Sequence, residues 1–317
     1  MKIDVYTHWW PKKAAQKLLE VTRQGVDPVA TKYLEKRESK TAVNDLDLRF
    51  RFMDRHPDVL HVLTISNPPV EMFAGPENAH EISRMANDEL TELVATYPDR
   101  FIGAVAILPM NDIELALEEC DRAIGELGMR GVRLFTTIDG ETLDSERLRP
   151  LYQKMCDYDL PIWLHPTEPP EVPVGQEAML GWEYETSKAM VTIASSWIFD
   201  EFPDLKIITH HLGSMIPTFE QRIRWMHPER KTHGNLKKFY NDTALYGNTA
   251  ALMCGYEFFG ADKILFGTDV PLGSLRMKNA GGFMEWTIRA IDRMDIPAEE
   301  KEKIYLENAV QLLNLAV

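Results

Sequence analysis

The sequence predicts an α/β fold, and within that class a closed TIM (β/α)8 barrel. Eight short runs of β-type residues alternate with helical segments along the 317 residues, and helical crossovers between consecutive strands make the strands parallel. Eight such units close into a barrel. An open doubly wound sheet is disfavoured because no glycine-rich phosphate turn follows any strand. No change in composition marks a boundary, so we expect one domain over 1–317, with a small helical insertion at 12–42.

The first half of the chain supplies four strands and the insertion. The strands are expected at 2–6, 59–65, 101–107 and 131–135. The insertion after the first strand reads as two polar helices, 12–24 and 28–40. Asn44 is expected to cap a helix that ends near residue 55. Further helices are predicted at 77–97, where Pro98 ends the helix, and at 112–127.

The second half repeats the alternation. Strands are expected at 161–165, 205–209, 239–243 and 263–266, and helices at 148–158, 186–201, 219–226 and 298–315. Residues 166–182 are rich in proline and glycine. We interpret this stretch as a long loop that can cover a site.

Composition narrows the classes of function. The net charge is −14 with no basic run, which argues against nucleic-acid and anionic-membrane partners but leaves room for a small carboxylate held by local arginines. No stretch approaches the ~20 apolar residues of a membrane span. Cys120, Cys156 and Cys254 lack metal-binding spacing, and no signal-peptide pattern begins the sequence, so a reducing cytoplasm is the expected setting.

Polar side chains that can bind a metal follow four of the predicted strands. They are His8, His165, the pair His210 and His211, and Asp269. All strand C-termini of a barrel face one rim, so these side chains are expected to converge. Imidazole together with carboxylate suits a divalent metal such as zinc. The remaining histidines are expected at the surface or at helix ends: His56, His61, His80, His227 and His233.

Two blocks carry a resemblance to a known family. They are residues 202–213 (FPDLKIITHHLG) and 264–271 (ILFGTDVP). With the strand ends, they resemble the amidohydrolase superfamily, in the branch of aminocarboxymuconate-semialdehyde decarboxylase and the resorcylate-type decarboxylases. The resemblance runs from the first strand to residues 308–309 and implies a metallo-dependent hydrolase-like barrel.

The resemblance implies roles for the strand-end residues. His8, His165 and Asp269 match metal ligands, with Zn²⁺ as the expected ion and Mn²⁺ as the other option. His211 matches the acid–base histidine, because it precedes Pro217 at the family's spacing. His210 is then expected to pack or to form a hydrogen bond. Asp269 is also expected to take part in catalysis by relaying a proton.

Arginines and tryptophans are the expected substrate contacts. Arg49, in the block LRFRFMD, resembles the segment that binds the substrate carboxylate, with Arg51 as the weaker candidate. Arg222 matches an arginine that reaches into the neighbouring subunit's site, which implies a homodimer. The alternative for Arg51 and Arg224 is an exposed helix face. Trp9 and Trp10 follow the first strand, and they either form a wall for an aromatic substrate or pack at the barrel mouth.

Tyr6 departs from the family pattern, which has His or Glu at this position. Three interpretations stay open. Tyr6 is a phenolate ligand, or it only hydrogen-bonds substrate or water beside a site with three protein ligands, or the metal is lost. A phenol has a pKa near 10, so it becomes a good ligand only if the metal removes its proton.

The predicted function is metal-dependent, non-oxidative decarboxylation of a carboxylated aromatic or unsaturated acid. The alternative is hydrolysis of a lactone, amide or activated C–C bond at the same metal site. A third interpretation is a binding protein on a degenerate barrel, which Tyr6 alone supports.

Overall fold

The structure, a computed structural model, describes residues 1–25, 30–32, 34–35, 43–167, 180–226, 231–271 and 282–316. Within these ranges, the strands are β1 Lys2–His8, β2 Val59–Thr64, β3 Phe101–Ala104, β4 Val132–Phe135, β5 Thr137–Ile138, β6 Glu141–Thr142, β7 Ile162–His165, β8 Ile207–Thr209, β9 Tyr240–Asp242 and β10 Ile264–Leu265. The α-helices are α1 Lys12–Gln24, α2 Leu46–Met53, α3 Pro76–Thr96, α4 Ile113–Asp121, α5 Arg149–Asp157, α6 Trp182–Ser195, α7 Ile198–Glu201, α8 Glu220–Met226, α9 Lys231–Leu236, α10 Thr249–Phe259, α11 Gly282–Asp292, α12 Ala298–Glu302 and α13 Asn308–Leu312.

Eight of these strands form the predicted TIM barrel. One parallel sheet has the order β1-β2-β3, and a second has the order β10-β9-β8-β7-β4. Backbone hydrogen bonds join them at both seams. Val5 N–H donates to Phe266 O (2.9 Å) between β1 and β10, and Arg133 N–H donates to Ala106 O (2.8 Å) between β3 and β4. The short strands β5 and β6 form a separate antiparallel hairpin.

The barrel has an inner and an outer core. The inner core is built by side chains of the strands and is closed at one end by the C-terminal residues Ala309, Leu312 and Leu313. The outer core lies between the strands and the surrounding helices. Because side chains alternate along a strand, each strand serves both cores.

Most of the predicted elements are present with shifted ends. The helix expected at 186–201 begins at Trp182 and is divided into α6 and α7. The cap of α2 is Asp45 and not Asn44, since the Asp45 carboxylate accepts the N–H of Leu48. The hairpin and helices α9, α10 and α11 were not predicted.

Two further expectations concern the insertion and His61. Helix α1 is present, residues 30–32 and 34–35 are helical, and the rest of the 28–40 helix lies outside the described residues. His61 is fully buried on β2, so its expected surface position is wrong. Among the described residues, no helix has both the length and the apolar character needed to cross a membrane.

Candidate metal centre

Four barrel strands end in side chains that meet at one rim. His8 and His165 are the last residues of β1 and β7, His210 directly follows β8, and Asp269 follows β10. Ile208 belongs to the inner core, so the alternation along β8 also points His210 inward. All four rim side chains are buried. The strand ends therefore converge as the barrel predicts.

Two of these histidines have one ring nitrogen bound by the protein. His8 Nδ1 lies 3.1 Å from Thr64 Oγ1, and that hydroxyl donates its own proton to the Thr7 carbonyl, so Nδ1 is the donor. His165 Nδ1 donates to the Pro166 carbonyl (2.9 Å). In both rings Nε2 keeps its lone pair. Metal-binding histidines have this arrangement, with one nitrogen held by an outer partner and the other available.

The Asp269 carboxylate lies between the imidazoles. Its Oδ1 is 3.0 Å from His8 Nε2 and 3.4 Å from His210 Nε2, while its Oδ2 accepts the Tyr246 hydroxyl (2.9 Å). A ligand nitrogen from each of His8, His165 and His210 lies within 4.8 Å of the other two. His8 Nε2 is buried and has no hydrogen-bond partner among the described residues. A buried lone pair facing a carboxylate needs a cation, so these residues fit a divalent metal.

The protonation states suit metal binding. Burial lowers the pKa of His8 to about 4, although Asp269 opposes that shift. Burial, together with His8 and His210, holds the pKa of His165 well below its usual value. Burial alone would raise the pKa of Asp269, but His210 and His8 hold it well below its usual value. The two histidines are therefore neutral and the aspartate is ionised, which are the forms that bind a metal.

The adjacent histidines 210 and 211 have different partners. His210 Nδ1 pairs with the Asp242 carboxylate, whose other oxygen accepts the backbone N–H groups of His211 (3.0 Å) and Ala244 (2.9 Å). The His211 ring stacks on His210, with centroids 3.8 Å apart, and its Nδ1 lies 3.0 Å from Glu183 Oε1. His211 Nε2 is buried and unpartnered among the described residues.

The positions of His210 and His211 differ from those expected from the sequence. His210, which was expected to pack, lies with His8 and His165. His211 lies beyond it, beside a carboxylate that can orient it. The backbone turns between them, since His211 has a φ of 56°, in the left-handed region that non-glycine residues rarely adopt. Such backbone strain is concentrated at functional sites.

Tyr6 occupies the first-strand position without facing the other ligands through its hydroxyl. Its O–H donates to the carbonyl of Leu164 (3.1 Å), and its ring stacks on His210 at 3.9 Å with an interplanar angle of 11°. Burial and the carboxylates of Asp242 and Asp269 raise the pKa of Tyr6 well above its usual value. Tyr6 is therefore a neutral phenol. Neither a phenolate ligand nor a substrate-binding hydroxyl matches this placement.

The comparisons with known proteins show the family of this chain. The amidohydrolase family model matches residues 3–315 of the chain. The chain belongs to the amidohydrolase family. The resemblance inferred from the two sequence blocks is thereby confirmed, and so is the expectation that the protein is an enzyme.

This amidohydrolase is similar to several decarboxylases. It is 32% identical over 298 residues to the gamma-resorcylate decarboxylase of Polaromonas sp., which covers 85% of this chain and 87% of the relative. It is 27% identical over 253 residues to the 2-amino-3-carboxymuconate-6-semialdehyde decarboxylase of Dictyostelium discoideum, covering 73% and 68%. A solved dihydroxybenzoic acid decarboxylase from Polaromonas sp., with bound manganese and 2-nitroresorcinol, has a TM-score of 0.77 and 28% identity over 99% of this chain and 96% of that one.

Arg49 does not take the position expected of a substrate-binding arginine. It is fully buried, and its guanidinium donates to the His8 carbonyl (2.7 Å) and the Thr7 hydroxyl (2.7 Å) and lies 3.0 Å from His61 Nδ1. Burial lowers the pKa of Arg49 to about 9, and Asp4 opposes that shift. Two of its three guanidinium nitrogens are thus used within the fold, while Nε has no hydrogen-bond partner among the described residues. The expected contact with a substrate carboxylate stays a prediction, which this buried position does not favour.

None of the other predicted substrate contacts lines the rim pocket. Arg222 and Arg224 are on α8, and Arg51 is on α2, and all three are exposed. Trp9 lies in a cleft with residues of α1, α2 and α3, and its ring centroid is 5.8 Å from the Arg49 guanidinium carbon. Packing at the barrel mouth, one of the two interpretations of Trp9, matches this position.

The pocket at the rim contains residues that the sequence analysis missed. His165, His210, His211 and Asp269 share it with Ser66, Asn67, Pro166 and Trp182. Trp182 Nε1 and Asn67 Oδ1 are buried and have no hydrogen-bond partner among the described residues. Trp182 is the last residue of the 166–182 stretch, which was predicted to be a loop that covers the site. No other feature of the sequence indicated this tryptophan as a pocket residue. Residues 168–179 of that loop lie outside the described residues.

Proposed function

We propose that this amidohydrolase is a metal-dependent, non-oxidative decarboxylase of a carboxylated aromatic acid. The observation that carries the proposal is the pairing of a metal-ligand group with a separate, carboxylate-oriented His211 at one barrel rim. The similarity to gamma-resorcylate decarboxylase favours a hydroxybenzoate over an unsaturated aliphatic acid.

We assign His8, His165 and Asp269 as metal ligands. Zinc is our first candidate because imidazole and carboxylate suit it, and manganese is the second because a similar structure contains it. When bound, the ion supplies Lewis acidity that stabilises negative charge on the substrate's oxygens. The unpartnered, buried His8 Nε2 supports this assignment.

Residues of the chain itself transfer the proton to the substrate. His211 Nε2 is the proposed donor to the ring carbon that carries the carboxylate, while Glu183 holds the other ring nitrogen. Once that carbon is protonated, the electron pair of the C–CO₂⁻ bond returns to the ring and carbon dioxide leaves. Asp269 is the proposed relay that restores the proton to this site. Trp182 forms the aromatic wall beside His211, and its free N–H can bind a substrate oxygen.

We infer a homodimer in which Arg222 contacts the neighbouring site. Arg222 lies on α8, where Trp225 is 79% exposed and Met226 is 56% exposed, and Phe219 just before the helix is 48% exposed. Large apolar side chains on one surface segment are typical of protein interfaces. Mixing inactive His211→Ala protein with Arg222→Ala protein should restore activity in mixed dimers. Activity that stays at the sum of the two parents would contradict a shared site.

We also infer that the enzyme works in the cytoplasm. Cys120, Cys156 and Cys254 are free thiols in the structure, which suits a reducing compartment.

The test of the function is carbon dioxide release from a panel of aromatic acids that includes 2,6-dihydroxybenzoate. Metal-loaded protein should release carbon dioxide and form the corresponding phenol, and protein treated with a chelator should not. Hydrolysis of a lactone or amide is the rival outcome, and it is recognised by oxygen-18 from water entering the product. Release from none of the acids, with or without metal, would overturn the proposal.

A further inference from the structure

The first-strand position of the metal centre has no ligand from Tyr6. The Tyr6 hydroxyl donates to the carbonyl of Leu164, the residue of β7 that precedes His165. A phenol has one proton to donate, and here it is already bound to a backbone acceptor. The ring face, rather than the oxygen, is turned toward His210, with centroids 3.9 Å apart. Tyr6 therefore provides an aromatic ring that stacks on His210.

His210 has the geometry of a metal ligand. Burial alone would lower the pKa of His210, but the Asp242 and Asp269 carboxylates raise it to about 10, so an ion that binds here displaces a proton. Its Nδ1 is bound to the Asp242 carboxylate, and its Nε2 lies 3.4 Å from Asp269 Oδ1. A ligand nitrogen of His210 is within 4.8 Å of those of His8 and His165. The carboxylate–histidine arrangement matches the outer hydrogen bonds that His8 and His165 make through their own Nδ1 atoms. Such partners fix the tautomer and orient the ring toward a metal.

We propose that His210 supplies the nitrogen ligand that the first strand lacks, and that Tyr6 is the positioning residue that holds the His210 ring. The inference rests on the proposed metal-dependent function. It makes the ligand set three imidazoles, from His8, His165 and His210, and one carboxylate, from Asp269. A ligand nitrogen of His211 also lies within 4.8 Å of His210 and Asp269, but His211 is not grouped with His8 and His165. With its Nδ1 facing Glu183, His211 is left for the proton.

The proposed set has a consequence for charge. Counted over the ligands alone, three imidazoles that bind as neutral groups and one carboxylate leave a divalent ion with one net positive charge, and the Asp242 carboxylate lies just beyond His210. No arginine of the described residues is among those that line the rim pocket. A bound ion would therefore add to the positive charge of the buried Arg133, which already lowers the pKa of His8 and His165.

Metal binding without substrate tests the inference. We would measure metal content by elemental analysis and affinity by competition with a chromophoric chelator, for the wild type and four variants. Tyr6→Phe keeps the ring and removes only the hydroxyl, so its affinity should stay within a few-fold of wild type. His210→Phe keeps the stacking surface and removes the nitrogen. Its affinity should fall by more than about 100-fold, since losing an outer partner alone costs about 10–100-fold.

His211→Phe is the matched control for His210→Phe, because it makes the same substitution one residue further on. It should retain the metal. Cobalt substitution adds a spectroscopic readout, since loss of one nitrogen ligand changes the visible absorption of the ion. His210→Asn is a second variant without the imidazole, which is used if His210→Phe does not fold. Circular dichroism shows whether each variant is folded.

The outcomes separate this inference from the proposed function. If Tyr6→Phe loses the metal and folded His210→Phe and His210→Asn keep it, Tyr6 is the ligand and the inference is overturned. A folded His211→Phe that loses the metal while His210→Phe keeps it assigns the ligand to His211 and also overturns it. The first outcome leaves the proposed decarboxylation as it stands, and the second removes His211 as its proton donor while leaving the dependence on metal to be tested by carbon dioxide release. Wild-type protein that binds neither zinc nor manganese overturns both proposals.

Discussion

Replacing Arg49 with methionine distinguishes a structural arginine from a substrate-binding one. Methionine keeps much of the apolar stem and removes the guanidinium. Three acceptors then lose a buried donor: the His8 carbonyl, the Thr7 hydroxyl and the His61 ring. Each unsatisfied buried group costs about 1–3 kcal/mol, so the three together lower the free energy of unfolding by roughly 3–9 kcal/mol. Because the variant no longer buries a charge, a few kcal/mol of this cost are offset.

We therefore expect Arg49→Met to be destabilised by about 3–5 kcal/mol, the lower part of that range. Thermal unfolding followed by circular dichroism gives the change in the free energy of unfolding, and steady-state kinetics gives KM. The matched control is Arg51→Met on the same helix, where an exposed substitution should stay within about 0.5 kcal/mol. An unchanged unfolding midpoint with KM raised tenfold or more would refute the reasoning, because it would place the guanidinium on the substrate.

Three further predictions follow from the site and the backbone around it. His211→Asn should lower kcat by about 10²–10⁴, the usual worth of a general acid, and a loss below tenfold would contradict its proton-donor role. In metal-free protein the folded pKa of His8 is about 4 and that of His165 lies well below 6.5, so the unfolded state binds more protons as pH falls from about 6.5 toward 4. Asp4 and Glu71, whose pKa burial raises to about 7, bind protons in the folded state over the same window and oppose this loss. The stability in urea that His165 contributes, measured as wild type minus His165→Asn, should therefore decrease as pH falls from about 6.5 toward 4, and a difference that stays flat would be contrary evidence. Gly213 has a φ of +67°, and an added Cβ would lie 2.8 Å from the Phe259 ring. Gly213→Ala should therefore destabilise by about 1–3 kcal/mol, whereas Gly234→Ala, with open space around it, should be neutral or stabilising; equal effects would be inconsistent with this geometry.

The barrel and its rim could be predicted because both depend on simple regularities. Strand–helix alternation determines the topology, and the common direction of parallel strands brings their ends together. His8, His165 and Asp269 were found in this way without knowledge of any side-chain contact. The single-domain organisation over 1–317 stays a prediction.

The choice between His210 and His211 shows where pattern reasoning was incomplete. The spacing to Pro217 favoured His211 for the site, and His211 does lie at its edge. The alternation along β8 carries a second signal, since Ile208 faces the barrel interior and His210 is on the same side. That signal identifies the histidine nearest His8 and His165.

Arg49 and Trp182 show two other limits. Arg49 lies one turn before Phe52 and Met53, which are buried on the same face of α2, so helical periodicity already places the arginine toward the core. Its partners His8 and His61 are distant in sequence, and only the fold brings them together. Trp182 and Glu183 begin a helix after the stretch that the sequence predicts to be a long loop, and no sequence period indicates which side chain of a loop points into a pocket.

The most direct test of the central claim is a metal titration of chelator-treated protein during turnover of 2,6-dihydroxybenzoate. We predict that the rate of carbon dioxide release rises with added zinc or manganese and reaches a plateau at one ion per chain. We also predict that His165→Ala neither binds the metal nor releases carbon dioxide. Full release by metal-free protein, or a His165→Ala variant as active as wild type, would contradict a metal centre at the barrel rim.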